Sequence, residues 1–401
     1  MQTNLAEFIR DTREGQEADA ILRKCVHCGF CTATCPTYQL LGDELDSPRG
    51  RIYLIKQLLE GNEVTAKTQL HLDRCLTCRA CETTCPSGVR YGRLAEIGRQ
   101  IVEARVKRGP IDVVVRRMLR WALPYPSRFT PLLRLGQTLR PLLPGVLKQK
   151  VPPRQAARSL PAQRHPRRML TLEGCVQPAI APDINAAAAA VLDRIGISLV
   201  AVPGNVCCGA VSYHLNAHGE GLDFMRRNID AWWPQIEAGA EAIVITASAC
   251  AAMVKEYGEL LKSDPRYASK AARVSSMTRD LSEVVAGEDL SSLHTGNGKR
   301  VAFHAPCTLQ HGQKLTNVVE GVLANLGFTL TPVPDPHLCC GSAGTYSILQ
   351  QKLSTRLLHN KVVALESGEP EVIATANIGC LAHLQSGAAL PVVHWIQLLG
   401  G

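Results

Sequence analysis

The feature that most constrains this chain is a run of four cysteines that occurs twice near the amino terminus. The first run reads CVHCGFCTATCP from residue 25, and the second reads CLTCRACETTCP from residue 75, so each cysteine recurs at an offset of 50 residues. A CxxCxxCxxxCP run surrounds one [4Fe-4S] cubane with three thiolates and directs the fourth cysteine, before the proline, to a partner cluster. The spacing predicts an internal repeat that holds two cubanes.

The two runs predict ligand sets that cross over between them. One cluster takes three cysteines of the first run and the last of the second: Cys25, Cys28, Cys31 and Cys85. The other cluster takes Cys75, Cys78, Cys81 and Cys35. Structural zinc is the alternative, but zinc sites use paired CxxC knuckles rather than three cysteines at successive third positions followed by Cys-Pro. Between the runs, Ser47-Pro48 predicts a helix start, and it stays open whether Arg49 and Arg51 lie beside a cluster.

The rest of the composition favours metal ligation over a disulfide framework. The chain has 401 residues and 16 cysteines, and it starts with MQTNLAEFIRDTREGQE, a polar and acidic stretch unlike a secretory signal. We therefore expect a cytoplasmic protein, where thiols stay reduced. The uncharged stretch 195–219 contains a proline and several glycines, so it does not predict a membrane-spanning helix.

A basic, proline-rich connector follows the cysteine runs. Residues 105–168 hold sixteen Lys and Arg against one acid, Asp112, which gives +15, whereas the whole chain carries +9. Short amphipathic helices of this composition suit the anionic inner face of the cell membrane, as a peripheral contact. A basic linker packed on acidic partner subunits is an equally open alternative. Nucleic-acid binding is not expected, because no reading motif accompanies the few aromatic residues.

The remaining eight cysteines form a second internal repeat around two Cys-Cys-Gly motifs. Offsets of 130 to 132 residues relate the sets Cys175, Cys207, Cys208, Cys250 and Cys307, Cys339, Cys340, Cys380. Around each set, apolar strands alternate with helices, which predicts a largely parallel sheet whose cysteines gather at the strand ends. We expect an α+β multidomain chain: a helical two-cluster ferredoxin-type domain (1–104), the connector (105–168), and two α/β cysteine-rich (CCG) domains (169–290 and 291–401).

Two ferredoxin-type runs followed by two Cys-Cys-Gly domains resemble the iron–sulfur subunits of glycolate oxidases, and KCVHCGFCTATCPTYQLLGDELDSPRGRIYLI makes the likeness specific. The iron–sulfur subunits of anaerobic glycerol-3-phosphate dehydrogenase, lactate-utilisation proteins and heterodisulfide reductase are more distantly similar. The resemblance implies a subunit that receives electrons from FAD-carrying subunits, which oxidise glycolate to glyoxylate, and delivers them to a quinone or another acceptor. A subunit of a related D-lactate or glycerol-3-phosphate dehydrogenase is the alternative.

The chain departs from the Cys-Cys-Gly pattern of that family at one position in each repeat. The motif often closes with CxxC, whereas Met253 and His383 stand at the second cysteine position here. Each set of four cysteines is a candidate for a further cluster or a zinc ion, with His383 or His304 as an added ligand in the second repeat. The alternatives are buried thiols that pack as small apolar groups, a reversible vicinal disulfide, or a heterodisulfide-reductase-like thiol–disulfide catalyst.

The chain lacks the motifs of nucleotide sites. We find no G-x-G-x-x-G after a predicted strand and no G-x-x-x-x-G-K-[ST]. Oxidation of a 2-hydroxy acid releases a hydride, which a flavin accepts. We therefore expect no catalytic residue in this chain and place substrate oxidation on partner subunits.

Overall fold

The structure is a computed structural model that describes residues 1–145, 148, 151–293 and 296–400. Residues 146, 147, 149 and 150 of the predicted connector lie outside the described residues. So do residues 294, 295 and 401 of the predicted second cysteine-rich domain.

The amino-terminal region is built from helices that wrap around the cysteine runs. They are Glu7–Arg10 (α1), Arg13–Lys24 (α2), Phe30–Ala33 (α3), Pro36–Leu41 (α4), Pro48–Leu59 (α5), Ala66–Asp73 (α6), Ala80–Thr83 (α7) and Tyr91–Arg105 (α8). The helix predicted at Ser47-Pro48 is confirmed, because the Ser47 hydroxyl accepts a hydrogen bond from the Gly50 amide, 2.9 Å away. The apolar face of α5 is buried against α2 and α8.

The repeat of the cysteine runs extends to the backbone. His27 and Thr77 have φ values of 56° and 53°, and Gly29 and Arg79 have φ values of 88° and 61°, again 50 residues apart. Each pair precedes a one-turn helix, α3 or α7. Left-handed residues in such loops turn successive backbone N–H groups toward one concave side, which is an anion-binding arrangement. At Gly29 a side chain would also collide with Arg49, since a Cβ atom would lie 2.9 Å from its Nη1.

The connector contributes two further helices, Pro110–Ala122 (α9) and Pro126–Leu139 (α10). Several of its arginines are held by acids of the folded body: Arg108 Nη1 lies 2.6 Å from Asp73, and Arg120 Nε lies 3.0 Å from Glu220. The connector therefore packs along the protein and leaves part of its apolar surface exposed. In the described part of the chain, no helix combines the length and the apolar character that crossing a membrane requires.

Each cysteine-rich repeat forms a four-stranded, all-parallel sheet. The first has the order β2-β1-β3-β4, with strands Arg167–Thr171 (β1), Ile197–Ala201 (β2), Ala242–Ile245 (β3) and Thr278–Asp280 (β4). The second has the order β6-β5-β7-β8, with strands Arg300–His304 (β5), Thr329–Leu330 (β6), Val372–Thr375 (β7) and Val392–His394 (β8). The predicted fold class, with a parallel sheet in each repeat, is confirmed. The fourth strand of each sheet was not expected from the sequence, because three residues are too few to show a pattern.

Helices cover both sheets and connect their strands. They are Gln177–Ile180 (α11), Asp183–Arg194 (α12), Ala210–His214 (α13), His218–Glu237 (α14), Ser248–Lys255 (α15), Tyr257–Leu260 (α16), Ala268–Met277 (α17), Leu281–Ala286 (α18), Val318–Asn325 (α19), Tyr346–Leu349 (α20), Gln351–Glu366 (α21) and Ile378–Gln385 (α22). One hydrophobic core runs through both repeats. The repeats are also joined by backbone, since the Ser248 amide donates to the Ala376 carbonyl at 3.0 Å.

Candidate iron–sulfur centres

The first cysteine cavity lies between the loop before α3 and the start of α5. It is lined by Cys25, Cys28 and Cys31 of the first run together with Cys81 and Cys85 of the second. Arg49 and Tyr91 complete its wall. The last cysteine of the second run thus borders the same space as the first three cysteines of the first run.

The second cysteine cavity also has Tyr91 in its wall. Its sulfur atoms come from Cys75, Cys78 and Cys81 of the second run and from Cys35 of the first. Cys81 borders both cavities, which are therefore immediate neighbours. Arg51 lines the second cavity as Arg49 lines the first, so each arginine lies beside one of the predicted cluster positions.

The spacing of the sulfur atoms suits clusters better than single ions. Thiolates bound to one tetrahedral zinc ion, at about 2.3 Å from the metal, lie about 3.8 Å apart. Among the described residues, no three sulfur atoms of the eight N-terminal cysteines lie within 4.8 Å of one another. The cysteines instead surround cavities, as the ligands of a cubane do. The residues present fit a [4Fe-4S] cluster in each cavity.

A network of buried charged and polar side chains borders the second cavity. Arg51 is 1% exposed, and its guanidinium donates to Asp46 at 3.2 Å, to the His71 carbonyl at 2.7 Å and to the Thr37 hydroxyl at 3.1 Å. The Thr37 hydroxyl in turn lies 3.3 Å from the Cys35 sulfur. Arg51 therefore connects a buried carboxylate to a predicted cluster ligand.

The thiols around the second cavity differ in their pKa values. Burial raises the pKa of Cys78 and Cys81 well above the ordinary thiol value. Burial also acts on Cys75, but Arg51 and Arg99 outweigh it and lower the pKa of that thiol. The buried hydroxyl of Tyr91 lies near Cys75 and has no hydrogen-bond partner among the described residues. Positive charge and a free donor at this place favour an anionic centre.

The first cysteine-rich repeat brings its four predicted thiols close enough to act on one another. Cys175 and Cys208 raise the pKa of Cys207, whereas Cys207 and Cys250 lower the pKa of Cys208. Among the described residues, no three of these thiols have sulfur atoms within 4.8 Å of one another, so they form no compact site for a single ion. The Tyr257 hydroxyl donates to the Cys208 carbonyl at 2.8 Å and fixes the loop.

The second repeat gathers its thiols more tightly and adds a histidine. The Cys307 and Cys339 sulfur atoms are 4.0 Å apart. Cys340 and Cys380 have their sulfur atoms within 4.8 Å of each other and of a ring nitrogen of His304. His383, the other histidine that the sequence suggested as a ligand, is bonded through Nε2 to the Ser354 hydroxyl, 3.1 Å away.

A central cavity, partly open to solvent, lies where the helical region meets both repeats. Cys78 forms one part of its wall, and Cys307, Cys339 and Cys380 form another. Glu96 also lines it, and burial together with the nearby Glu256 carboxylate raises the pKa of Glu96 to about 7. Sequence reasoning missed this cavity and its acid, because the lining residues come from segments up to three hundred residues apart and share no motif.

Two sequence families match parts of the chain. The family described as "4Fe-4S dicluster domain" matches residues 21–89, and the family described as "Cysteine-rich domain" matches residues 169–255 and 301–385. Both families agree with the confirmed fold class and with iron–sulfur ligation.

Curated relatives match the chain along its whole length. The glycolate oxidase iron-sulfur subunit of Escherichia coli (strain K12) is 60% identical over 400 residues, which cover 100% of this chain and 98% of that protein. The probable glycolate oxidase iron-sulfur subunit of Bacillus subtilis (strain 168) is 30% identical and covers 95% of this chain and 91% of its own. Lactate utilization protein A of Bacillus velezensis is 29% identical over 52% of this chain and 87% of that protein.

A solved structure shares the fold. The crystal structure of a hypothetical protein from Helicobacter pylori matches with a TM-score of 0.53 at 10% identity, over 96% of this chain and 72% of that one. At this identity the likeness concerns the fold alone.

Proposed function

This chain belongs to the family of glycolate oxidase iron-sulfur subunits, and from that premise we propose that it carries single electrons from FAD-containing partner subunits to a quinone or another acceptor. Glycolate oxidation to glyoxylate releases two electrons as a hydride, which a flavin accepts, and two [4Fe-4S] clusters would take these electrons one at a time. The observation that carries the proposal is the pair of adjacent cavities, each bordered by cysteines of both runs.

We assign the ligands from the cavity walls. Three cysteines of one run and the last cysteine of the other hold each cluster: Cys25, Cys28, Cys31 and Cys85 at the first cavity, and Cys75, Cys78, Cys81 and Cys35 at the second. Arg49 and Arg51 each line one of these cavities and stabilise negative charge there. The Tyr91 hydroxyl is placed to donate a hydrogen bond to sulfur at the second.

The direct test combines this chain with its flavin subunits in the absence of oxygen. We expect that glycolate reduces the flavin and that the paramagnetic signal of reduced cubanes then appears, with about eight irons per chain. Flavin reduction that is never followed by cluster reduction would contradict the proposal. Running D-lactate in parallel separates a glycolate oxidase from a related dehydrogenase, because the preferred substrate reduces the clusters at the lower concentration.

The central cavity is where we place the electron acceptor. It adjoins the second cluster cavity through Cys78 and Arg79, so an electron that leaves this cluster has the cavity as its neighbour. Reduction of a quinone also consumes protons. Because its pKa is about 7, Glu96 is protonated over much of the neutral range and can donate one.

The acid in this cavity predicts a pH dependence. Glu96 has a raised pKa, so its proton is present below about pH 7 and is lost above it. We expect acceptor reduction to fall as the pH rises through this value, and we expect Glu96→Gln to be slower at pH 6 and to lack this fall. The measurement is the rate of quinone reduction by dithionite-reduced protein between pH 5.5 and 8.5. Glu259→Gln, on the surface, is the matched control and should follow the wild type; a Glu96→Gln profile like that of the wild type would exclude this role.

The connector supplies the surface that we propose for a peripheral position on the inner face of the cell membrane. Ile111, Val114, Met118 and Trp121 form an exposed stripe along one face of α9, and Leu132, Leu135 and Leu139 are exposed on α10. The Arg128 guanidinium lies 5.3 Å from the Trp121 ring centroid, beside this stripe. These exposed apolar residues lie within a segment of charge +15. An anionic lipid surface suits both features, because the apolar side chains can enter the acyl region while the basic side chains contact the headgroups.

Replacing Ile111, Val114 and Met118 together by serine is expected to abolish binding to vesicles that contain phosphatidylglycerol. The apolar anchor is lost, while the ion pairs of Arg108 and Arg116 with Asp73 and of Arg120 with Glu220 are kept. Co-sedimentation measures the effect, and the control exchanges two exposed apolar residues of the second repeat, Ile348 and Val363. Unchanged sedimentation of the triple variant, or loss of flavin-subunit binding instead, would assign the stripe to a protein partner.

A further inference from the structure

His304, Cys340 and Cys380 form a compact group at the carboxyl edge of the second sheet. His304 is the last residue of β5, Cys340 lies in the loop after β6, and Cys380 lies in the first turn of α22, directly after β7. Parallel strands bring their carboxyl ends to one edge of a sheet, where ligand groups converge. The three residues are 2%, 0% and 5% exposed, so the group is closed off from solvent.

The His304 side chain makes no hydrogen bond in the described part of the chain. Both ring nitrogens of His304 are buried, and neither has a hydrogen-bond partner among the described residues. A buried polar group without a hydrogen-bond partner destabilises the folded protein, so its presence calls for an explanation. The two other buried histidines described in this repeat, His311 and His394, are hydrogen-bonded through both ring nitrogens. An ion that binds an imidazole nitrogen would remove this cost.

The distances suit a single ion. One nitrogen of His304 and the sulfur atoms of Cys340 and Cys380 all lie within 4.8 Å of one another. Ligands of one tetrahedral zinc ion are separated by about 3.5–3.8 Å, which small side-chain rotations would reach. The Asn377 amide lies 3.5 Å from the Cys380 sulfur and can donate to it, as residues behind a metal ligand commonly do.

The first repeat lacks this arrangement. At the offset of 132 residues, the position of His304 is taken by Leu172, which is buried in the core of that repeat. Among the described residues, its thiols supply no such compact group. The duplicated domains therefore differ in chemistry, although they share one fold.

We propose that the second repeat binds one divalent ion of the zinc class through His304, Cys340 and Cys380, and that the first repeat binds none. Two thiolates neutralise a dication, which makes the buried site electrically balanced. Three protein ligands leave one tetrahedral position open, the pattern of zinc sites that engage a further ligand. Cys380 also lines the central cavity, so the ion would lie directly behind the wall of the space where we place the acceptor.

The test measures metals in the full chain, purified without oxygen and carrying its clusters. We expect one equivalent of zinc, or of iron without sulfide, in addition to the cubane iron. Zinc-edge X-ray absorption should show two sulfur neighbours at about 2.3 Å and a nitrogen neighbour at about 2.0–2.1 Å. His304→Leu, which copies the residue of the first repeat, should lose this equivalent, whereas His304→Cys should keep it with three sulfur neighbours.

Two control variants change residues outside the proposed site. Cys250→Ser, the counterpart of Cys380 in the first repeat, and His383→Gln should both retain the ion. The paramagnetic signal of the reduced cubanes should be unchanged in every variant, which separates failure of this site from failure of the proposed electron-transfer function. Three results would each overturn the proposal. Zinc could be retained in His304→Leu, or the wild-type chain could fail to load with zinc or iron. The third is about four additional irons with sulfide, which would indicate a further cluster.

Discussion

Replacing Cys35 by alanine is expected to destroy the same cluster as replacing Cys78, and replacing Cys85 is expected to destroy the same cluster as replacing Cys28. The reason is the crossing of the ligand sets: Cys35 borders the second cavity, and Cys85 borders the first. Each variant should fall from about eight irons per chain to about four, because a cubane that loses one thiolate is no longer held. Electron delivery to the acceptor should fall to background, while the flavin subunits are still reduced by glycolate.

The paramagnetic spectrum of the surviving cluster decides this prediction. The spectra left by Cys35→Ala and Cys78→Ala should coincide, and they should differ from the common spectrum left by Cys85→Ala and Cys28→Ala. If Cys85→Ala instead leaves the spectrum of Cys78→Ala, each run holds its own cluster and the crossed assignment is wrong. Cys175→Ala, in the first cysteine-rich repeat, is the control and should keep both signals.

The second large effect is expected at Arg51. Replacing this buried arginine by leucine leaves Asp46, which is 0% exposed, with less compensation for its charge. Removal of the partner of an isolated buried charge lowers the free energy of unfolding by about 3–5 kcal/mol; because Arg74 still contacts Asp46 at 2.8 Å, we expect a loss toward the lower end of this range. The lost positive charge should also shift the midpoint potential of the neighbouring cluster to more negative values, since an electron adds negative charge there.

Thermal unfolding and a redox titration of the same samples test both parts. Arg51→Lys keeps the charge and should restore most of the potential, although it cannot donate to Asp46, His71 and Thr37 together. Arg49→Leu is the control, because this arginine is partly exposed and pairs with Glu44 at the rim of the other cavity. A loss of stability at Arg49 as large as at Arg51 would show that burial of the pair is not the cause.

The local sequence was sufficient where the chemistry depends on spacing. The offset of 50 residues predicts paired cysteine loops, and the structure repeats even their left-handed residues, at His27 and Thr77. Strands and helices of the two cysteine-rich repeats could be predicted because apolar runs alternate with amphipathic ones. The fully buried strand Ala242–Ile245 is an example of such an apolar run. Short-range patterns of this kind are set by the backbone geometry of a few neighbouring residues.

Contacts between distant segments could not be predicted from the sequence. Nothing in the sequence near Arg51 shows that it meets Asp46, His71 and Thr37, and the central cavity unites Cys78 with Cys307 across 229 positions of the printed sequence. The short strands β4 and β8 were missed for the same reason, because their pairing depends on the neighbouring strands β3 and β7. Packing of whole elements decides such contacts.

The sequence by itself predicted the candidate iron ligands and showed an internal repeat in each half of the chain, because ligand type and repeat offset depend only on the order of the residues. His304 and Leu172 occupy matching positions of the two repeats. Only the tertiary structure shows what this difference does, because the strand ends bring Cys340 and Cys380 beside the histidine. Burial and distance are properties of the folded chain, and they determine what each side chain can bind.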